Sequence, residues 1–105
     1  MPVLTRPASL ADYQVYVQEM ERERGFAHQT PVEKCLLLGE EVGELFKAVR
    51  NTQRIAIEPG AKVGDVSEEL ADILIYLCAI ANRYGVDLEQ AFLAKEEINK
   101  TRRWA

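Results

Sequence analysis

Histidine and tryptophan each occur once in this 105-residue sequence, cysteine twice, proline four times and glycine six times. So little Gly and Pro beside 48% hydrophobic residues excludes collagen-like, linker-like and intrinsically disordered material. Cys35 and Cys78 lie inside apolar segments without CxxC spacing. That excludes a disulfide framework and predicts two core thiols in a reducing compartment. Excess positive charge is missing too: 13 Lys and Arg face 17 Asp and Glu, a net charge of −4. A general nucleic-acid coat needs clustered positive charge and is excluded. The longest apolar run, Leu70 to Ala81, spans 12 residues and contains Asp72, whereas a membrane helix needs about 20. Met1 to Ala11 shows no charged segment followed by an apolar stretch, so no secretory signal is read. The expectation is a soluble cytoplasmic protein with one domain over 1–105 and no membrane partner.

What is present is helical periodicity. Ser9 can cap a helix from Leu10 to about Arg24, with Tyr13, Val17 and Met20 on one face and Gly25 past its end. Thr30-Pro31 reads as the start of a second helix to about Arg50, with an apolar stripe of Cys35, Leu38, Val42, Leu45 and Val49. Asn51 to Asp65, with Pro59-Gly60 and Gly64, is a long loop. Ser67 is expected to cap a third helix closed by Gly85, and Asp87 a fourth from Leu88 to about Arg102. No strand-like alternation or internal repeat is present, so the fold class is all-α, a four-helix bundle-like domain. Apolar residues wrap nearly the whole third helix, and a helix apolar all round is buried all round. A domain this small would leave one side of it wet, which predicts a homodimer or a dimer of dimers.

The acidic residues are not scattered evenly. Glu40-Glu41-x-x-Glu44 on the second helix puts Glu41 and Glu44 on one face, and Glu69-x-x-Asp72 repeats the geometry on the third. Apolar residues border both pairs, and an ionised carboxylate buried without a partner costs several kcal/mol, on the order of 3. Within the third helix the basic residue that could pair with Asp72 is Arg83, at the far end. Four carboxylates without His or Cys make an oxygen-only donor set suited to Mg²⁺ or Mn²⁺. The lone His28, in the loop before the second helix, does not supply the Glu-x-x-His pairs of di-iron bundles. Solvated acidic helix faces are the plainer alternative. Lys95, Asn99 and Arg102 share a stripe of the fourth helix that suits a phosphate chain or, as simply, a basic helix end. Tyr76, one turn after Asp72, is placed to stack on a base or to sit at the rim of a core.

Taken together, EExxE, then ExxD inside EELADILIYLCAIANRYGVDLEQA, then Lys95-x3-Asn99-x2-Arg102, resemble a MazG-like nucleotide pyrophosphohydrolase of the stand-alone type, within the all-α NTP pyrophosphatase superfamily. The resemblance runs from about His28 to Trp104. It implies Mg²⁺-dependent hydrolysis of nucleoside triphosphates between the α and β phosphates, with a role in nucleotide-pool house-cleaning. Glu41, Glu44, Glu69 and Asp72 would be metal ligands, with Mn²⁺ a substitute for Mg²⁺. Lys95, Asn99 and Arg102 would hold phosphate oxygens, and Tyr76 the base. Glu40 or Glu44 would take the proton of the attacking water, Glu40 as the helper. The chain contains no GxSxG, no paired Cys and His and no Walker A loop, so no protein nucleophile is expected. The alternatives are dUTP or phosphoribosyl-ATP hydrolysis in the same superfamily, or a non-catalytic acidic helical adaptor. The family's dimers and tetramers agree with the argument from the third helix.

Overall fold

A computed structural model describes residues 1–55 and 57–102. Trp104, at the end of the expected resemblance, lies outside them, as does Ala56 within the long loop. The described residues form four helices and no strand: α1 (Leu10–Arg24), α2 (Pro31–Thr52), α3 (Val66–Arg83) and α4 (Leu88–Lys100). Ser9 and Asp12 form a reciprocal capping box on α1, the Asp12 amide donating to Ser9 Oγ at 3.2 Å and the Ser9 amide to Asp12 Oδ2 at 2.9 Å. Thr30 caps α2, with Pro31 at the first helical position. Gly25 (φ 81°) and Gly85 (φ 64°) take the left-handed conformation past α1 and α3. There the next amides, Phe26 and Val86, donate to Glu21 O at 2.8 Å and Ala81 O at 2.9 Å, satisfying carbonyls that the helix end would orphan.

Two local expectations are corrected. Asp65, not Ser67, caps α3: its Oδ1 accepts from the Ser67 amide at 2.7 Å and the Ser67 hydroxyl at 2.6 Å. An ionised carboxylate is the stronger acceptor at the positive helix end, so the helix starts before Ser67. Cys78 is buried as expected, but Cys35 is exposed. The reason is the rotation of α2 about its axis: Lys34 and Ala48 are its buried residues, while Val49 and Phe46 stay open to solvent. The 35/38/42/45/49 stripe is therefore turned off the centre of the packed face, and the face bearing Glu41 is turned in. As expected for a domain this small, the single chain leaves one side of α3 open: Leu70 is 52% exposed, and Leu74, Ile75 and Leu77 are also open.

The principal packing is α2 on α3, with α1 laid on α3 and α4 on α1. Val17, Met20, Cys78 and Ala79 make the core between α1 and α3, joined by Tyr13, Tyr16 and Leu88. Gln14 ties α1 to the α3–α4 corner: its side chain donates to Asn82 Oδ1 at 3.1 Å and Val86 O at 2.8 Å and accepts from the Leu88 amide at 2.9 Å. No described helix is long and apolar enough to cross a membrane.

Candidate active site

The α2–α3 contact brings three of the expected carboxylates together. Glu41 on α2 meets Glu69 and Asp72, one turn apart on α3, with an oxygen from each within 4.8 Å of the others. Glu69 is buried, and Glu41 and Asp72 are half-buried. Partial burial, a hydrogen bond with Glu69 and repulsion from Asp72, Glu69 and Glu44 push the Glu41 carboxyl up to about 7. Among the described residues no Lys or Arg forms an ion pair with any of the three. A crowded set of hard oxygen donors that raises its own proton affinity and has no protein counter-charge fits a divalent cation such as Mg²⁺ or Mn²⁺.

The other expected residues fall in three places. Glu44 lies one turn beyond Glu41, outside the convergent three, and meets Lys47 at 3.6 Å. Glu40 is exposed beside Glu41. Tyr76 shares with Asp72 a cavity of about 370 Å³, lined also by Phe26, Gln29, Lys34 and Leu37. Burial and the charges of Glu41, Asp72, Glu40 and Glu21 push its phenol up, so the hydroxyl stays protonated. Lys95 and Asn99 line a different groove, with Leu10, Leu74 and Phe92, and Arg102 is exposed past the end of α4. Asn99 donates to Glu96 Oε1 at 3.1 Å. Within one chain the basic stripe therefore lies in a different groove from the acidic three.

The spacing of motifs missed the ionic network under the cavity. Lys34 Nζ sits 3.0 Å from Glu21 Oε2, and Arg83 grips both Glu21 oxygens at 2.8 and 2.9 Å. Arg83 also donates to the backbone oxygens of Gln29, Phe26 and Ala79, which commits it to α1 and the following loop, not to Asp72. Burial pushes the Glu21 carboxyl up, but the hydrogen bonds and charges of Arg83 and Lys34 outweigh it and hold it below the usual range. The Lys34 ammonium lies 5.2 Å from the Phe26 ring centre and 5.4 Å from that of Tyr76, so it braces both rings of the cavity. One signal was available: Lys34 stands seven residues before Glu41, on the same helix face.

Comparison with known proteins bears on this site. Residues 26–103 match the MazG nucleotide pyrophosphohydrolase domain. Mouse dCTP pyrophosphatase 1 is 38% identical over 90 residues, a match that covers 78% of this chain but only half of that protein. The uncharacterized protein YvdC of Bacillus subtilis is 30% identical over 95 residues, covering 84% of this chain and 90% of its own. A cyanophage S-2L MazG-like pyrophosphohydrolase, solved with dGDP and three catalytic Mn²⁺ ions per active site, superposes with a TM-score of 0.70 at 30% identity. The superposition covers 96% of this chain and 87% of that one.

Proposed function

The chain belongs to the MazG nucleotide pyrophosphohydrolase family, hydrolases of nucleotide phosphoric anhydrides that use divalent metals, and from that premise we propose how this member works. It cleaves a deoxynucleoside triphosphate between the α and β phosphates, giving a monophosphate and pyrophosphate, with Mg²⁺ as the working ion. The observation that carries this reading is the meeting of Glu41, Glu69 and Asp72 beside a cavity with two aromatic walls. Those three residues hold the metal, and Glu44 is the fourth carboxylate. Bound there, a divalent cation supplies charge neutralisation for the triphosphate and Lewis-acid activation of water.

The chain's own groups do the rest. Tyr76 stacks on the base, aided by Phe26, while the protonated phenol adds no negative charge near the phosphates. Exposed Glu40, next to the site, or Glu44 accepts the proton of the attacking water. Lys95, Asn99 and Arg102 hold phosphate oxygens. Their separation from the carboxylates within one chain and the absence of any buried residue on α4 among those described support contribution from a second subunit, in a homodimer or homotetramer. The reducing cytoplasm suits the exposed thiol of Cys35.

A panel of dNTPs, modified dNTPs, dUTP and phosphoribosyl-ATP with Mg²⁺ or Mn²⁺, read by pyrophosphate release, tests the activity. The expected products from a dNTP are its monophosphate and pyrophosphate. No pyrophosphate from any compound would leave a non-catalytic acidic protein instead. Asp72→Asn should lower turnover at least about 100-fold with helicity unchanged.

A further inference from the structure

Gly64 stands in the loop just ahead of the α3 cap, and of the glycines it alone lies where a side chain would strike something. A Cβ built there would collide with Glu69 Oε1 and stand 3.2 Å from Glu69 Cδ. Its backbone gives no other reason for glycine, since the left-handed glycines are Gly25, Gly60 and Gly85. Side chains on a helix tilt toward its N-terminus, so the Glu69 carboxylate folds back over the start of α3 and occupies the space that the missing side chain leaves. Glu69 is only 8% exposed there, and it makes the hydrogen bond that helps to raise the Glu41 carboxyl.

We propose that Gly64 is a positioning residue: its bare Cα seats the Glu69 carboxylate against Glu41 and Asp72, and any side chain at 64 turns that carboxylate out of the cation site. The proposal rests on the reading of Glu69 as a metal ligand. The colliding atom is the far end of a flexible side chain, so a methyl at 64 displaces Glu69 at little cost to the fold.

The test is Mn²⁺ binding to the full chain without nucleotide, followed by the electron paramagnetic resonance of free Mn²⁺, with helicity and melting temperature recorded alongside. Gly64→Ala should keep its helicity and bind Mn²⁺ about tenfold more weakly. Glu69→Asp shortens the acid by one methylene and alone should also weaken binding. The double variant Gly64→Ala/Glu69→Asp should lose less than the product of the two single losses, because the shorter acid fits beneath the methyl. If Gly64→Ala does not fold, the double variant must fold better. Wild-type affinity in Gly64→Ala, purely multiplicative losses, or a double variant as unfolded as the single would each overturn the proposal. Failure of the underlying reading looks different: the wild-type chain itself would bind no Mn²⁺, or Glu69→Gln would bind it unchanged.

Discussion

Glu41 is held at about 7, well above the ordinary glutamate range, by burial and by the carboxylates it faces. An acid whose folded value is raised binds its proton more tightly folded than unfolded. Stability from that proton is full below about pH 4.5 and is lost as pH rises through about 7. Glu41→Gln removes the repulsion, so the metal-free variant should match the wild type near pH 4.5. It should exceed it by about 1–3 kcal/mol at pH 8, the upper end being the full shift and the lower end allowing for solvent screening of a half-buried carboxyl, in melts across that range. A gain equally large at pH 4.5 would contradict this origin of the shift. The same variant should lose Mg²⁺-dependent turnover, because the crowding that destabilises the empty site is what a cation relieves. EExxE and ExxD made these carboxylates legible in the sequence. Their convergence was not, because no i, i+3 spacing says which turn of α2 faces which turn of α3.

At the scale of helices, Glu21 is a single point joining three of them: α1 through its own backbone, α2 through Lys34 and α3 through Arg83. Glu21 is 4% exposed and so is Lys34. Removing the acid leaves two cations facing each other without an anion, and breaking such a buried group costs about 3–5 kcal/mol. Glu21→Leu should lower the denaturant midpoint accordingly, whereas Lys34→Met, which leaves Glu21 with Arg83, should cost less. Equal losses would show that the three do not act as a unit. This network also explains why the apolar stripe read from α2 is not its packed face. Burying Lys34 against Glu21 fixes the rotation of the helix, and Cys35, about 100° further round, turns outward. Caps and boundaries, by contrast, follow from local chemistry, with Ser67 giving way to the stronger acceptor at Asp65.

The whole molecule is more open than its size requires. Its radius of gyration is 16.4 Å, against about 13 Å for a compact chain of this length. Its accessible surface is 7938 Å², about 2,000 Å² above that of a compact 11.9-kDa monomer. Buried on both subunits of a dimer, an excess of that size falls in the range of obligate homodimer interfaces, about 2,000–5,000 Å² in total. Leu70, Leu74 and Leu77 on α3 and Phe92, Leu93 and Ile98 on α4 contribute exposed apolar surface. Light scattering should therefore give a dimer or tetramer at micromolar concentration, and a 12-kDa monomer would sink the idea. Phe92 is 64% exposed in the single chain, so Phe92→Asp should lower the mass while keeping helicity, with turnover falling as the basic stripe of α4 is lost to the partner's site.

By itself the sequence determined the four helices, most of their caps and the two carboxylate pairs. All of these rest on periodicity and on contacts within four residues along the chain. Only the tertiary structure decided which face of α2 is packed, that Glu41 and not Glu44 joins Glu69 and Asp72, that Arg83 serves Glu21, and that Gly64 leaves room for the Glu69 carboxylate. Those outcomes depend on the rotation and depth of one helix against another, which side-chain packing across the interface sets and local spacing does not encode.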